Sequence, residues 1–481
     1  MEERASLKKT LKPHWVWAIA LGSSIGWGAF VQPTNWMETA GPMGVIIGFS
    51  IGAILMMVIA VSYGFLIKKF PVSGGEFAYA FIGLGRTHAF ICGWFLTLGY
   101  ICIVALNASA FALMIKFVYP RFVENIHIYQ LAGWDIYFTE ILIASFVLIL
   151  FTYFNIKGTG FSGSIQFIFC MVMIASIIIL TFLVGMSPGS GLENMKPLFN
   201  PESTTFASII AIVAIAPWAY VGFDNVPQAA EEFNFSSKKA FSLIIFALIA
   251  SALLYSLMIM ATAMAEPWTG LVKQNHLWGT GAAIQNVLGN FGLGLLVITL
   301  SMGIFTGING FIVSSSRLLF AMSRAKVLPG LFSKLHPKYH TPYAGIIFTV
   351  IIAMLAPWFG REVLLWIVDM SSIGVSIAYF YTCFTAFRLF KWRQDSVNDS
   401  KNVFAPVKKI IALFGVVSSL VFILLLLIPG SPAFLGIESK IALLTWSLIG
   451  IVFYLFKRKE YNNIPEEKLS YLLLGNKQGD Q

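Results

Sequence analysis

Two short stretches of the chain combine residue types that can bind a charged small molecule inside apolar surroundings. The first, GSSIGWGAF at residues 22–30, places three glycines and two serines inside a long apolar run. The second, IAPWAYVGFDNVPQAAEE at residues 215–232, interrupts another apolar run with Pro217, Gly222, Asp224 and Pro227. Glycine and proline are the poorest residues for a helix interior. Each stretch therefore predicts a break in a helix.

A broken helix exposes polar backbone groups. Freed N–H groups at the start of the second half-helix attract anions, and freed carbonyls at the end of the first attract ammonium groups or cations. A zwitterion carries both charges and suits such a site. The alternative interpretation is helix packing, because small residues also let neighbouring helices approach closely.

The surroundings of both stretches follow from the composition of the whole chain. Of the 481 residues, 58% are apolar, only 11% are charged and 43 are phenylalanine, which exceeds what a soluble protein buries in one core. A helix of about 20 mainly apolar residues crosses a bilayer. The chain is therefore predicted to be an all-α integral membrane protein with about 12 transmembrane helices. The qualifying runs are 14–40, 43–67, 88–118, 136–156, 163–186, 204–232, 239–265, 291–323, 343–359, 363–390, 408–429 and 441–456.

The two interrupted runs occupy corresponding places in two sets of five predicted spans. Gly26 lies in the first run of residues 14–186, and Gly222 lies in the first run of residues 204–390. A matched pair of interrupted helices is typical of transporters built from inverted repeats. Residues 1–13 and 457–481 are then predicted tails, and residues 408–456 hold two additional helices.

The cations predict the orientation of the chain in the membrane. With an even number of spans, both termini and the loops after even-numbered spans lie on one side, and that side carries all but six of the 32 Lys and Arg residues. By the positive-inside rule both termini are cytoplasmic, in a multi-pass protein of the cytoplasmic membrane. The six exceptions are Lys116, Arg121, Lys196, Lys273, Arg361 and Lys440.

Other classes of function lack their sequence patterns. The basic net charge of +10 follows from topology, and no soluble segment carries the basic and aromatic pattern of a nucleic-acid-binding protein. The cysteines form no C-x-x-C pair, so no metal is expected. The chain has no H-E-x-x-H, no G-x-S-x-G and no paired Asp motif in a span, so no catalytic residues and no enzymatic activity are expected. Two broken helices in matched halves also differ from the pore loops of channels.

Five motifs in chain order carry a resemblance to a known family. GSSIGWGAFVQP (22–33) resembles the first-span motif G-x-x-I-G-x-G-x-F-x-x-P of the amino acid, polyamine and organocation (APC) transporters, and YVGFDNVPQAAEE (220–232) resembles span 6 of its cationic amino acid transporter-like branch. FPVSGGEFAYA (70–80), NIKGTGFSGSIQ (155–166) and SSSRLLFAMSRAKVLP (314–329) are similar to the loop before span 3, the entry to span 5 and the end of span 8.

The resemblance implies a LeuT-type 5+5 inverted repeat with helices 1 and 6 broken, in which alternating access moves amino acids across the membrane. The partners would be the lipid bilayer and a small-molecule substrate, with no cofactor beyond a coupling ion, H+ or Na+. The backbone of the first break would receive a carboxylate, and carbonyls of the second an ammonium group. The substrate-binding candidates are Ser23, Ser24, Ile25, Gly26, Trp27, Gly28, Ala219, Tyr220, Gly222 and Phe223.

Trp27 departs from the family pattern, which usually has a small residue between the glycines. Its indole can either narrow the cavity or point into the helix bundle as a packing residue, and we expect the second. If it occupies the cavity, substrates are small or lack the α-carboxylate. An amine or polyamine transporter, an amino acid exchanger and a sodium-coupled symporter therefore remain alternatives to a proton-coupled permease.

Energy coupling is the last expectation. Many sodium-independent relatives carry a lysine in span 5, and the alignment on Gln166 places Met173 there. Sodium could instead be held by carbonyls of the first break with Ser301 or Thr306, although such hydroxyls often bond their own helix. Asp224 is the preferred candidate, because a carboxylate beside a break near the membrane centre can carry a proton.

Overall fold

The computed structural model describes residues 4–131, 133–274, 276–360, 363–390, 405–431 and 433–475. Within these ranges the chain is almost entirely helical. The outer ends of the two predicted tails, 1–3 and 476–481, lie outside the described residues, as does Arg361.

The helices follow the predicted apolar runs closely. The first half contains α1 (Pro13–Ser24), α2 (Gly28–Val31), α3 (Pro33–Lys69), α4 (Gly75–Leu84), α5 (Arg86–Val118), α6 (Pro120–Val123), α7 (Phe138–Ile156) and α8 (Thr159–Met186). The second half contains α9 (Thr205–Ala214), α10 (Ala216–Ala219), α11 (Asn225–Gln228), α12 (Ala240–Ala265), α13 (Trp268–Lys273), α14 (Gly279–Arg324), α15 (Tyr343–Ala353) and α16 (Val363–Leu389). The chain continues with α17 (Ala405–Leu427), α18 (Ile437–Asn462) and α19 (Glu466–Leu474). Short 3-10 helices cover Leu192–Met195, Ala230–Glu232, Ser237–Lys239, Gly330–Ser333 and Ala356–Phe359.

Nine helices in the described ranges are long and apolar enough to cross a membrane: α3, α5, α7, α8, α12, α14, α16, α17 and α18. The remaining predicted runs, 14–40, 204–232 and 343–359, fall on segments divided into shorter helices. Large side chains on the outside of the molecule fit a lipid environment, since Phe456 is 84% exposed and a soluble monomer rarely shows wide apolar surfaces. The chain is a multi-pass helical membrane protein.

The boundary between the first two predicted spans lies inside α3. Gly41 has φ +69°, and Pro42 follows it. A left-handed residue before a proline cannot continue a straight helix, so the chain reverses here without an intervening loop. A Cβ at Gly41 would also lie 2.6 Å from the backbone of Phe199.

A β-hairpin corrects the all-α prediction. Strands β1 (His127–Leu131) and β2 (Trp134–Tyr137) pair antiparallel, with an irregularity between His127 and Tyr129. The segment is rich in Ile, Tyr and Trp, which favour strands, but its polar residues kept it below the hydropathy of a span. Lys116 at the end of α5 packs over the rings of Trp134 and Tyr137 and pairs with Glu140 at 2.7 Å.

The helices that surround the two breaks come from both halves of the chain. Helix α1 packs against α8, α12 and α14, while α10 packs against α3 and α16. Helix α11 contacts α1, α4 and α14. The two breaks therefore lie side by side in the interior, where surrounding helices shield their irregular backbone from lipid, as the cost of unpaired polar groups requires.

Candidate functional site

The two helix breaks are in direct contact. Gly222 has φ +133°, and a Cβ on it would lie 2.6 Å from the backbone of Ser23 and Ser24. The Ser24 hydroxyl lies 3.2 Å from the Tyr220 carbonyl oxygen. Only glycine combines this backbone conformation with this close approach, so Gly222 sets the distance between the breaks.

Tyr255 of α12 links both breaks. Its hydroxyl lies 3.0 Å from the Ala219 carbonyl oxygen and 3.2 Å from that of Ser24, and it can donate its single proton to either. The sequence analysis did not select Tyr255, because a single tyrosine in an apolar run forms no spacing pattern.

The first break leaves polar backbone groups exposed to the interior. Helix α1 ends at Ser24 and α2 begins at Gly28. Within the described residues, the N–H groups of Gly26, Trp27 and Gly28 have no hydrogen-bond partner. Three adjacent donors of this kind can bind a carboxylate.

The second break offers fewer free groups than the sequence analysis expected. Tyr255 and Ser24 contact the carbonyl oxygens of Ala219 and Tyr220, and Gly222 accepts a bond from the Asn225 N–H at 3.1 Å. In the described structure the Val221 carbonyl oxygen is left without a partner. It is the acceptor of this break that remains available for an ammonium group.

A central cavity of about 20 Å³ lies between the breaks. It is lined by Ser23, Ser24, Gly26, Trp27, Gly28, Ile103, Leu106, Asn107, Trp218, Ala219, Val221 and Tyr255. Ligand pockets measure on the order of 300 Å³ or more, so this cavity must widen to admit a substrate. The described lining residues include no ionised side chain.

Four predicted site residues do not line the central cavity. Tyr220 donates its hydroxyl to the Phe49 carbonyl oxygen at 2.8 Å, and Phe223 stacks on Tyr379 with ring centroids 5.4 Å apart. Gly222 touches the backbone of the first break, and Ile25 is fully buried. The backbone reversal at Gly222 turns these side chains away from the cavity.

Trp27 lies at the boundary between the central cavity and a second cavity. The second cavity measures about 220 Å³, and Trp27 lines both. Its ring meets that of Trp218 edge-on, with centroids 6.4 Å apart. The expected packing into the bundle is therefore not what the structure shows. A Cβ at Gly28 would lie 2.6 Å from the Trp218 ring, so that glycine makes room for the paired indoles.

Replacing Trp27 with serine is expected to broaden selectivity, because it removes the ring between the two cavities. The variant should accept larger amino acids than the wild type, measured as competition against uptake of a small labelled amino acid. Trp17→Ser is the control, since Trp17 is in the same helix and lines a hollow on the molecular surface. An unaltered competition profile in Trp27→Ser would contradict a size-limiting role.

Two side-chain atoms at the central cavity are buried without a partner. They are Nε1 of Trp27 and Oδ1 of Asn107. Asn107 donates its amide N–H to the Ile103 carbonyl oxygen at 2.9 Å and fits between the first break and α14, because both Gly26 and Gly307 lack a side chain there. The sequence analysis missed Asn107, although a polar residue in the middle of an apolar run was an available signal.

Asp224 stabilises the second break. Its Oδ1 accepts a bond from the Gly222 N–H at 2.7 Å, and its Oδ2 accepts one from the Tyr100 hydroxyl at 2.9 Å. The side chain is fully buried, and no ion pair involves it among the described residues. A carboxyl without a cation can hold a proton at modest cost.

A second buried carboxyl, Glu76, interacts electrostatically with Asp224. Glu76 lies in α4, outside the nine candidate spans. It accepts a bond from the Gln228 amide at 2.5 Å, while its Oε1 has no partner in the described structure. Burial and, secondarily, the charge of Asp224 raise the pKa of Glu76. The two carboxyls therefore disfavour double ionisation.

The two candidate sodium ligands are not brought together. Ser301 donates to the Val297 carbonyl oxygen at 2.7 Å and lies beside Met114. The Thr306 hydroxyl lies 2.9 Å from the Gly22 carbonyl oxygen, and also from carbonyls of its own helix. Residues five apart on a helix point in different directions, so only Thr306 faces the first break.

Gln166 of α8 occupies the space beside Gly22. Its amide Nε2 lies 3.2 Å from the Ala18 carbonyl oxygen and 3.1 Å from that of Thr306. Its Oε1 accepts a bond from Asn309 at 2.8 Å. A neutral amide thus bonds α1 to α14 at the place where a coupling cation was considered.

The chain termini meet in a group that we name the terminal latch, formed by Arg4, Glu231, Arg324 and the carbonyl end of α19. Glu231 pairs with Arg324 at 2.9 Å and with Arg4 at 3.1 Å. Arg4 also donates to the carbonyl oxygens of Leu472 and Leu473. Beside the latch, Glu232 pairs with the buried Arg317 at 2.8 Å. These ions are structural contacts, as the sequence analysis expected.

The latch should be insensitive to pH in the neutral range. Burial alone would raise the pKa of Glu231, but Arg324 and Arg4 outweigh it and lower that pKa to about 2. The resulting stabilisation is complete above the ordinary carboxyl pKa of about 4.3 and disappears as the pH falls through about 2.

We expect Glu231→Gln to lower the melting temperature of the purified protein by the same amount at every pH from 5 to 8, and by less below about pH 4. The exposed Glu467→Gln should leave the melting temperature unchanged. A Glu231→Gln effect that varies between pH 5 and 8 would show that the latch titrates in the neutral range.

Comparison with known proteins adds independent findings. The family model for amino acid permeases matches residues 15–454. The branched-chain amino acid permease BcaP of Bacillus subtilis is 28% identical over 474 residues, covering 96% of this chain and 95% of the relative. A methylthioribose transporter of the same organism is 28% identical, covering 77% and 79%. Cationic amino acid transporter 4 of Mus musculus is 23% identical, covering 83% and 62%.

Proposed function

The chain belongs to the amino acid permease family and transports amino acids, and on this basis we propose that it takes up small neutral amino acids across the cytoplasmic membrane by proton-coupled alternating access. The observation that carries the proposal is the small uncharged cavity between two contacting helix breaks. Unpaired N–H groups on one break and the unpaired Val221 carbonyl on the other match the two charges of an amino acid.

The architecture we propose is a LeuT-type 5+5 inverted repeat with twelve spans. Residues 14–186 and 204–390 form the two repeats, residues 408–456 add two helices, and residues 1–13 and 457–481 form cytoplasmic tails. Contact between Arg4 and the end of α19 supports an even number of crossings, because it requires both termini on one side. The excess of cations on that side supports its cytoplasmic location.

The cavity favours a neutral substrate over an amine or polyamine. A polyamine carries several positive charges and would need carboxylates on the cavity wall. In the described lining the side chains are apolar, hydroxyl, indole or amide groups. The nearby Asp224 is already bonded to Gly222 and Tyr100.

Proton coupling is supported by the contacts of Asp224 and of Gln166. Asp224 lies directly after the contact between the breaks, so a change in its charge would act on the hinge of the second half-helix. The Gln166 amide already bonds the Ala18 carbonyl, and Thr306 is the one candidate hydroxyl that faces the first break. Sodium prefers several oxygen ligands, and this arrangement supplies few free ones.

The proposal is tested with purified protein in liposomes loaded with buffer. We expect labelled small neutral amino acids to accumulate when the outside is acidified, in buffers without sodium. Internal unlabelled substrate should accelerate labelled uptake, which a channel would not show. Uptake only with internal substrate would identify an exchanger, and uptake only with sodium would identify a sodium symporter. Either result would overturn the proposed coupling.

A further inference from the structure

Two unpaired polar atoms belong to side chains that line the same small cavity. Trp27 is 5% exposed and Asn107 is 1% exposed, and neither the indole Nε1 nor the amide Oδ1 has a partner in the described structure. Buried polar groups are nearly always bonded, so each exception needs an explanation. The two atoms are also complementary, because indole nitrogen only donates and an amide oxygen only accepts.

A hydroxyl group is the smallest chemical group that satisfies both atoms. It accepts a bond through its oxygen and donates one through its proton. The cavity volume of about 20 Å³ is close to that of one water molecule or one hydroxyl group. The neighbouring walls come from Ile103, Leu106 and Val221, which suit the short carbon stem that carries such a group.

The charged ends of an amino acid do not compete for these two atoms. The carboxylate has the free N–H groups of Gly26, Trp27 and Gly28, and the ammonium group has the Val221 carbonyl oxygen. Both sets belong to the backbone of the breaks. The donor of Trp27 and the acceptor of Asn107 are therefore left for the substrate side chain.

We propose that the central cavity selects small amino acids whose side chain carries a hydroxyl group, with the Trp27 indole N–H donating to that hydroxyl and the Asn107 amide oxygen accepting from it. This inference rests on the proposed function and specifies its substrate class. A substrate without the hydroxyl leaves both protein atoms unpaired. Sites built to bond a hydroxyl discriminate strongly against analogues that lack it.

Threonine and valine provide the test, because they have nearly the same shape and differ by hydroxyl against methyl. Dissociation constants for both are measured on the purified full-length protein. We expect the wild type to bind threonine at least about tenfold more tightly than valine. Trp27→Phe keeps an aromatic ring and removes the N–H, so it should weaken threonine binding until the two affinities are similar, while valine affinity stays within about threefold.

A second variant acts on the acceptor. Asn107→Leu has a similar size and should also remove the preference for threonine, while retained valine binding reports an intact site. Trp17→Phe is the matched control, since it makes the same change in the same helix outside the central cavity, and it should keep the wild-type ratio.

The outcomes separate this inference from the proposed function. Wild-type protein that binds valine as tightly as threonine overturns the hydroxyl selectivity while amino acid binding itself stands. An unchanged threonine-to-valine ratio in both variants overturns the roles of Trp27 and Asn107. Binding of neither amino acid, nor of any other small neutral amino acid, would overturn the proposed function.

Discussion

Replacing Gly26 with leucine is expected to abolish substrate binding while the protein remains folded in the membrane. A Cβ at Gly26 would lie 3.4 Å from Oδ1 of Asn107, and the remaining carbon atoms of leucine exceed a cavity of about 20 Å³. We expect binding to weaken by at least about 100-fold. Equilibrium binding of a small labelled amino acid to purified protein measures the effect.

Gly294→Leu provides the control for the Gly26 variant. Gly294 is exposed on α14, and a Cβ there meets no atom within 4 Å. This variant should bind substrate as the wild type does. If Gly26→Leu also binds with wild-type affinity, the substrate does not occupy the region between the two breaks.

Asp224→Asn is expected to remove the response of uptake to the proton gradient. In the wild type, uptake should rise by up to about tenfold for each unit by which the outside pH falls, until the proton site is saturated. Asparagine can still accept from the Gly222 N–H, and its amide can donate to the Tyr100 hydroxyl. The break should therefore keep its shape while losing a titratable group. Uptake into liposomes at several external pH values measures the change.

Asp369→Asn is the matched control for the Asp224 variant. Asp369 is also partly buried, and it accepts bonds from the Ser439 hydroxyl at 2.7 Å and the Gly436 N–H at 3.1 Å. It lies on α16 and does not contact either break. Its variant should keep the wild-type pH profile. An Asp224→Asn protein with that same profile would assign proton coupling to another group, with Glu76 the first to test.

The sequence located the two breaks because local composition marks them. Glycines and prolines act on the backbone of their own segment, so their effect can be read without knowing the neighbours. Ser23, Ser24, Gly26, Trp27 and Gly28 accordingly line the central cavity. The apolar runs likewise located the long helices, since bilayer thickness sets a length that hydropathy reveals.

Contacts between distant segments escaped sequence reasoning. Asn107 and Tyr255 each stand alone in an apolar run, and their positions depend on how α5 and α12 pack against the breaks. The direction of the Trp27 ring was also decided from outside, by the approach of Trp218 to Gly28. Tyr220 and Phe223 follow the break in sequence, but the backbone at Gly222 turns them elsewhere.

Short elements outside the membrane were missed for a related reason. The β1–β2 hairpin and helices α4 and α19 are too short for a hydropathy window, and their stability comes from docking on the spans. In α19, Leu469 and Leu473 are fully buried. An amphipathic segment of this length forms a helix only with such packing.

The terminal latch joins the first part of the chain to be synthesised to the last. Arg4 leaves the ribosome before any span has been inserted, and the carbonyls of Leu472 and Leu473 that it contacts are made after all the helices. Arg4 must therefore wait through the insertion of every span before its final contacts exist. This side of the molecule consequently closes as the last step of biogenesis, and a chain that is still attached to the ribosome cannot complete it.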